Sequence, residues 1–115
     1  MAFSEFEMVR YSKEVRTFIE ARRPPAAVRN ELDLGFLIEG QMIEIFEVRP
    51  AWNNPDKQLQ QSIAKATYVK RQNLWKVYCQ RADLRWHAYA PEPSVATLKQ
   101  FLSLVDEDPH GCFWG

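Results

Sequence analysis

Apolar residues recur along this chain with two different periods, and the changes between them mark its elements. Met8, Tyr11, Val15, Phe18 and Ile19 follow one another at helical spacing and form a single stripe. Ser4 and Glu7 make an S-x-x-E capping box ahead of that stripe, with Phe3 and Met8 at the staple positions on either side of the cap. Pro24 and Pro25 end it, since neither can donate an N–H and each disfavours helical geometry in the residue before it. A helix is predicted over 4–22, with room for one short extra turn within 25–33. From Leu34 to Arg49 the period shortens to two, the signature of a β-hairpin around Gly40. A loop at 39–40 or at 40–41 keeps the same facing. Leu34, Phe36, Ile38, Ile43 and Ile45 therefore share one face, with Glu47 and Arg49 at its far end. The opposite face carries Leu37, Met42, Phe46 and Val48, interrupted by Glu44. Apolar residues on both faces call for a cover on both sides. The second cover is either the other helix or a second subunit, which makes a homodimer one expected partner.

Pro50 to Gln61 reads as a loop, punctuated by Pro50, Asn53-Asn54 and Pro55. A three-strand meander follows. A two-residue turn at Gln72-Asn73 sets Ala64, Ala66 and Tyr68 on one face with Trp75, Val77 and Cys79. A second tight turn near Ala82-Asp83 adds Trp86 and Ala88 to that face, although Ala82 suits a type I′ turn poorly. The last element is a helix N-capped by Ser94, with Val95, Leu98, Phe101, Leu102 and Val105 facing one way. Pro109 and Gly111 end it, and Phe113 and Trp114 are too apolar to stay off the body. Helix, hairpin, meander, helix is an α+β order, with an antiparallel sheet of about five strands forming one domain over 1–115.

Composition narrows the function classes. The 115 residues are 46% hydrophobic and 26% charged, the make-up of an ordinary globular domain. Fifteen basic and fifteen acidic residues cancel, which excludes a polycation that coats nucleic acid or membrane. The amino terminus has neither the basic region nor the apolar run of a secretory signal, and no window is apolar enough to span a membrane. Cys79 and Cys112 have no C-x-x-C spacing, so no disulfide framework is indicated and a reducing cytoplasm is the expected setting. Cys79 reads as a small buried hydrophobe and Cys112 as part of tail packing.

The runs FEVRPAW (46–52), AKATYVK (64–70), LWKVYCQRADLRWHAY (74–89) and DEDPHGCFWG (106–115) resemble a family of short bacterial proteins known only as a domain of unknown function. The resemblance covers essentially the whole chain, with Trp52, Trp75, Trp86 and Trp114 recurring in one order. It implies a bacterial, soluble, single-domain protein and brings no activity, substrate or catalytic residue with it.

Charge is unevenly spread. Residues 1–49 balance at −2, 50–62 at zero, 63–89 at +5 and 90–115 at −3. In the predicted register one sheet face displays Lys65, Thr67, Lys76, Tyr78, Gln80, Arg85, His87 and Tyr89. Basic groups attract phosphate, and exposed rings offer faces on which unpaired bases stack. An acidic protein partner would be served by the same groups. Lys65, Lys76, Tyr78, Arg85, His87 and Tyr89 are thus a candidate surface for nucleic acid or an acidic partner, set against the plainer account in which they solvate the outside of a half-covered sheet.

Three constellations bear on catalysis. Glu47 and Arg49 point the same way on a strand, as an ion pair or, with Asp33 and Lys65, as a nuclease-like cluster whose E-x-R departs from the usual E-x-K. His87 near Asp83 has the make-up of a general base, but no nucleophile stands at a recognisable spacing. Asp106, Glu107, Asp108 and His110 crowd a helix C-terminus, where acids oppose the dipole and a cation would relieve them. No ligand spacing or phosphate-binding glycine loop supports a cofactor. The reading is a non-catalytic binding domain with no cofactor and no metal; a small hydrolase- or nuclease-like enzyme using Glu47, Asp83 or His87 is the alternative.

Overall fold

The computed structural model describes residues 2–114, and for Pro55 the backbone alone. Helix α1 spans Glu5–Arg22, and the predicted capping box is formed: Glu7 N–H donates to Ser4 Oγ at 3.1 Å and Ser4 N–H to Glu7 Oε1 at 3.0 Å. Tyr11, Val15 and Ile19 bury the stripe, and a single 3-10 turn at Ala26–Val28 follows the two prolines. Strands β1 (Asp33–Glu39) and β2 (Met42–Ala51) form the predicted hairpin, turning at Gly40-Gln41, where Gly40 takes a φ of 61°.

Strand β3 runs Asn54–Val69, so the segment read as a loop from 50 to 61 is instead the tip and return of a long β2–β3 ribbon. Residues 56–61 are exposed and, apart from Leu59, polar, so no alternation marks them as strand. A register shift between Ile45 and Phe46, opposite Ala64 and Ser62, leaves Ile63 as an extra, buried residue at the ribbon's base. This is the position of a β-bulge, which sharpens twist where a ribbon leaves a sheet.

Strand β4 (Leu74–Gln80) returns through a four-residue connection in which Asn73 is left-handed, φ 52°. The pairs Tyr68–Trp75, Ala66–Val77 and Ala64–Cys79 keep the predicted facing, because the connection starts two residues earlier than the predicted turn and a shift of two preserves parity. Strands β5 (Trp86–Ala88) and β6 (Ser94–Val95) both pair with β4, one after the other along its edge. Helix α2 spans Leu98–Glu107 and begins later than predicted. Its cap is Thr97, whose side chain accepts from Gln100 N–H at 3.2 Å while the Gln100 side chain accepts from Thr97 N–H. Ser94 and Val95 are strand instead: T-x-x-Q supplies both halves of a capping box and Ser94 only one.

The result is an α+β fold with a six-stranded antiparallel sheet, β1-β2-β3-β4-β5, with β6 on β4. Both helices lie on the same face. One core joins Tyr11, Val15 and Ile19 of α1 and Leu98, Phe101, Leu102 and Val105 of α2 to Ile43, Ile45, Ala64, Ala66, Trp75 and Val77 of the sheet. The second helix therefore does not cover the other face of the hairpin. Among the described residues no helix is long and apolar enough to cross a membrane.

Candidate functional site

The face away from the helices is built from residues whose neighbours are strands alone. Leu37, Glu44, Lys65, Tyr78 and Ala88 lie in register across five strands, and Glu39, Met42, Thr67, Lys76 and Ser94 form the next row. Of the expected surface, Lys65, Lys76 and Tyr78 stand on this open face. Lys65 is the most constrained: its Nζ lies 4.8 Å from the Tyr78 ring centroid and 4.9 Å from that of Trp86. The rings attract the ammonium through their π faces. Burial lowers the Lys65 pKa below the ordinary lysine value, and the Glu44 carboxylate across the strand pair partly offsets this.

Arg85, His87 and Tyr89 do not join this face, and Trp86 takes their place. The β4–β5 connection is five residues long, Arg81 to Arg85, so Gln80 pairs with Trp86, Cys79 with His87 and Tyr78 with Ala88. A one-residue change in register moves every side chain to the other face. The cause is local. Leu84 rather than Ala82 adopts the left-handed conformation, φ 61°, and Asp83 Oδ1 accepts from Arg85 N–H at 2.9 Å. Arg85 lies in the loop, and His87 sits at the sheet edge with Nε2 2.9 Å from Asp83 Oδ2. Tyr89 is fully buried against Phe113, ring centroids 4.8 Å apart, and among the described residues its hydroxyl has no hydrogen-bond partner.

The proposed chemical clusters do not assemble. Arg49 donates to Glu47 Oε2 from Nε at 2.9 Å and from Nη2 at 2.8 Å, the ion pair read from their spacing. Asp33 is engaged by Arg23 through two hydrogen bonds of 2.7 Å, and Lys65 lies on the opposite face from Glu47. His87 has Cys79 directly across the strand pair, yet burial raises the Cys79 thiol pKa, the reverse of an activated nucleophile. Asp83 is held below the usual carboxylate range, chiefly by the Arg85 N–H and then by His87.

The acidic cluster after α2 is a clasp. Asp108, left-handed at φ 41°, ends the helix. Its carboxylate accepts backbone N–H bonds from Cys112 at 2.8 Å, Phe113 at 3.1 Å and Trp114 at 3.0 Å. Trp114 Nε1 donates to Val105 O at 2.6 Å, and Arg22 stacks on the same indole at 4.2 Å while pairing with Asp106 at 2.8 Å. The Arg22 guanidinium and the three backbone N–H groups supply positive charge to Asp106 and Asp108 at this helix end. No group of three or more His, Cys, Asp or Glu among the described residues is arranged to hold a metal.

The Arg23–Asp33 pair sets an expected pH dependence. Hydrogen bonds from Arg23 hold the Asp33 carboxyl below the usual range, against a smaller opposing effect of burial. A folded-state pKa below the unfolded one gives stability that is present above the unfolded value and lost as pH falls through the folded one. Asp33→Asn should therefore flatten the loss of stability below about pH 4 in urea titrations. A wild-type slope unchanged in the variant would mean that other carboxylates carry the acid sensitivity.

The fold and its open face define a class: an α+β domain whose antiparallel sheet is covered on one side only. Residues 3–115 match the domain of unknown function DUF3024, and the chain belongs to that family. No curated protein and no solved structure matches it.

Proposed function

We propose that this chain is a non-catalytic binding domain that takes an acidic partner on the open face of its sheet, through Lys65, Lys76, Tyr78 and Trp86. The observation that supports this reading is the Lys65 ammonium set between two aromatic rings beside Lys76, on the face no helix covers. A partly desolvated ammonium forms a stronger ion pair than a fully hydrated one. The same face carries Glu39 and Glu44 in line with Lys76 and Lys65. A nucleic-acid backbone crossing the strands would meet those carboxylates, so a protein surface with discrete acidic groups fits better than a polyanion. Both cysteines are unpaired, in keeping with the cytoplasm as the proposed setting.

The test is titration of dilute protein with a fluorescent glutamate-rich peptide and, separately, with a labelled single-stranded oligonucleotide. The peptide should bind, weaken with salt, and lose most of its affinity in Lys76→Glu. Tighter oligonucleotide binding that depends on Trp86 would transfer the face to nucleic acid. Binding of neither, or peptide binding indifferent to Lys76→Glu, would end the reading.

A further inference from the structure

We infer that the acidic partner of this face is a second copy of the chain, packed sheet to sheet about a twofold axis that runs close to parallel with the strands, between β2 and β3. The inference rests on the reading of the open face as a binding surface and names its occupant. The support is an antisymmetry in the register. In one row Glu39 on β1 and Lys76 on β4 flank Met42 and Thr67. In the next, Leu37 and Tyr78 flank Glu44 and Lys65. Acidic groups sit on the β1–β2 half and basic groups on the β3–β4 half, at matching heights along the strands.

Rotation about the proposed axis lays β2 over β3 of the other copy and β1 over its β4. Glu39 then faces Lys76, Glu44 faces Lys65, and Leu37 faces Tyr78, each contact occurring twice, as an isologous interface requires. A twofold axis perpendicular to the strands would instead stack each half on itself, carboxylates on carboxylates and ammoniums on ammoniums. The charges thus select one orientation of the sheet-on-sheet packing that sandwiches adopt at about 10 Å separation. Apolar surface lies where such a contact would bury it: Leu37 is 42% exposed, and Met42, Phe46 and Val48 are half-buried on the same side. A formal net charge of zero adds no long-range repulsion between copies.

Sedimentation equilibrium over a wide concentration range tests this with a charge swap. Wild-type protein should be a dimer. Glu39→Lys and Lys76→Glu, both at exposed positions, should each raise the dimer dissociation constant by about tenfold or more, because symmetry counts every lost contact twice. Combining them restores the pairing with its signs exchanged, so the double variant should return close to wild type. Circular dichroism establishes that all three are folded. A dimer insensitive to the single reversals, or a double variant as weak as the singles together, would overturn the geometry. A wild type that stays monomeric overturns the inference. If that monomer still takes the glutamate-rich peptide through Lys76, only the identity of the partner is wrong; if it does not, the binding reading falls as well.

Discussion

Asp108→Ala should be among the most damaging single substitutions outside the core, at about 2–4 kcal/mol and roughly 10 °C in the midpoint of thermal unfolding. One carboxylate takes three consecutive backbone N–H groups, of Cys112, Phe113 and Trp114. Charge-assisted bonds of this kind are the stronger class, and their donors have no other acceptor once the carboxylate is gone. The damage should spread, because the clasp seats Phe113, 5% exposed, against the fully buried Tyr89. Asp108→Asn keeps an acceptor oxygen and tolerates the left-handed backbone, so it should lose clearly less. Thermal melts of both variants decide the matter. Equal losses would mean that the carboxylate's charge, which both variants lack, holds the tail, rather than an acceptor oxygen or tolerance of the left-handed backbone.

Trp75→Ala should cost about 3–5 kcal/mol, the range for truncating a large buried aromatic. Trp75 is 2% exposed and packs its ring against Tyr11 at 5.2 Å, Tyr68 at 5.1 Å and Phe3 at 5.7 Å between centroids. It is the point where α1, β3, β4 and the segment before α1 meet, so no single element can move in to fill the space. Denaturant unfolding followed by far-ultraviolet circular dichroism should show a lower midpoint with the slope kept. A loss below 1 kcal/mol would mean that the ring cluster repacks around the vacancy. Neither variant touches the open face, so self-association measured on whatever fraction remains folded should be unaffected.

The sequence showed this fold wherever a segment has one face to bury. The capping box at Ser4–Glu7, the alternation of Leu34 to Ile45 and the stripe of α2 each record a contact with the same core. Where a segment buries neither face, nothing is recorded. The arm from Lys57 to Gln61 is exposed on both sides and polar except for Leu59, and its strand character comes from backbone pairing with β2 alone. The candidate surface was half legible for a different reason. Lys65, Lys76 and Tyr78 are set by parity counted from the turn before β4, where the predicted turn at Gln72-Asn73 and the observed connection at 70–73 differ by two residues and give the same facing. His87 and Tyr89 depended on the turn after Gln80, where the choices differ by one residue. The poor fit of Ala82 to a tight turn was the available signal that the loop is longer. Trp86, half of the cage around Lys65, went to the wrong face by the same slip. The acidic cluster at 106–108 looked like a cation site because charge is visible in sequence and backbone acceptance is not. The Asp106 carboxylate is used by Arg22 and that of Asp108 by the chain's own N–H groups.

The central claim is that the uncovered face of the sheet is the working surface and that a second copy covers it. Hydroxyl-radical footprinting across a dilution series reads this residue by residue. Leu37, Met42 and Tyr78 should become protected together as concentration rises, with the same midpoint as the change in mass. Phe6, 75% exposed on the outer side of α1, should react equally throughout. Protection of Phe6 with the sheet face still reactive would place any association on the helical side and contradict the account.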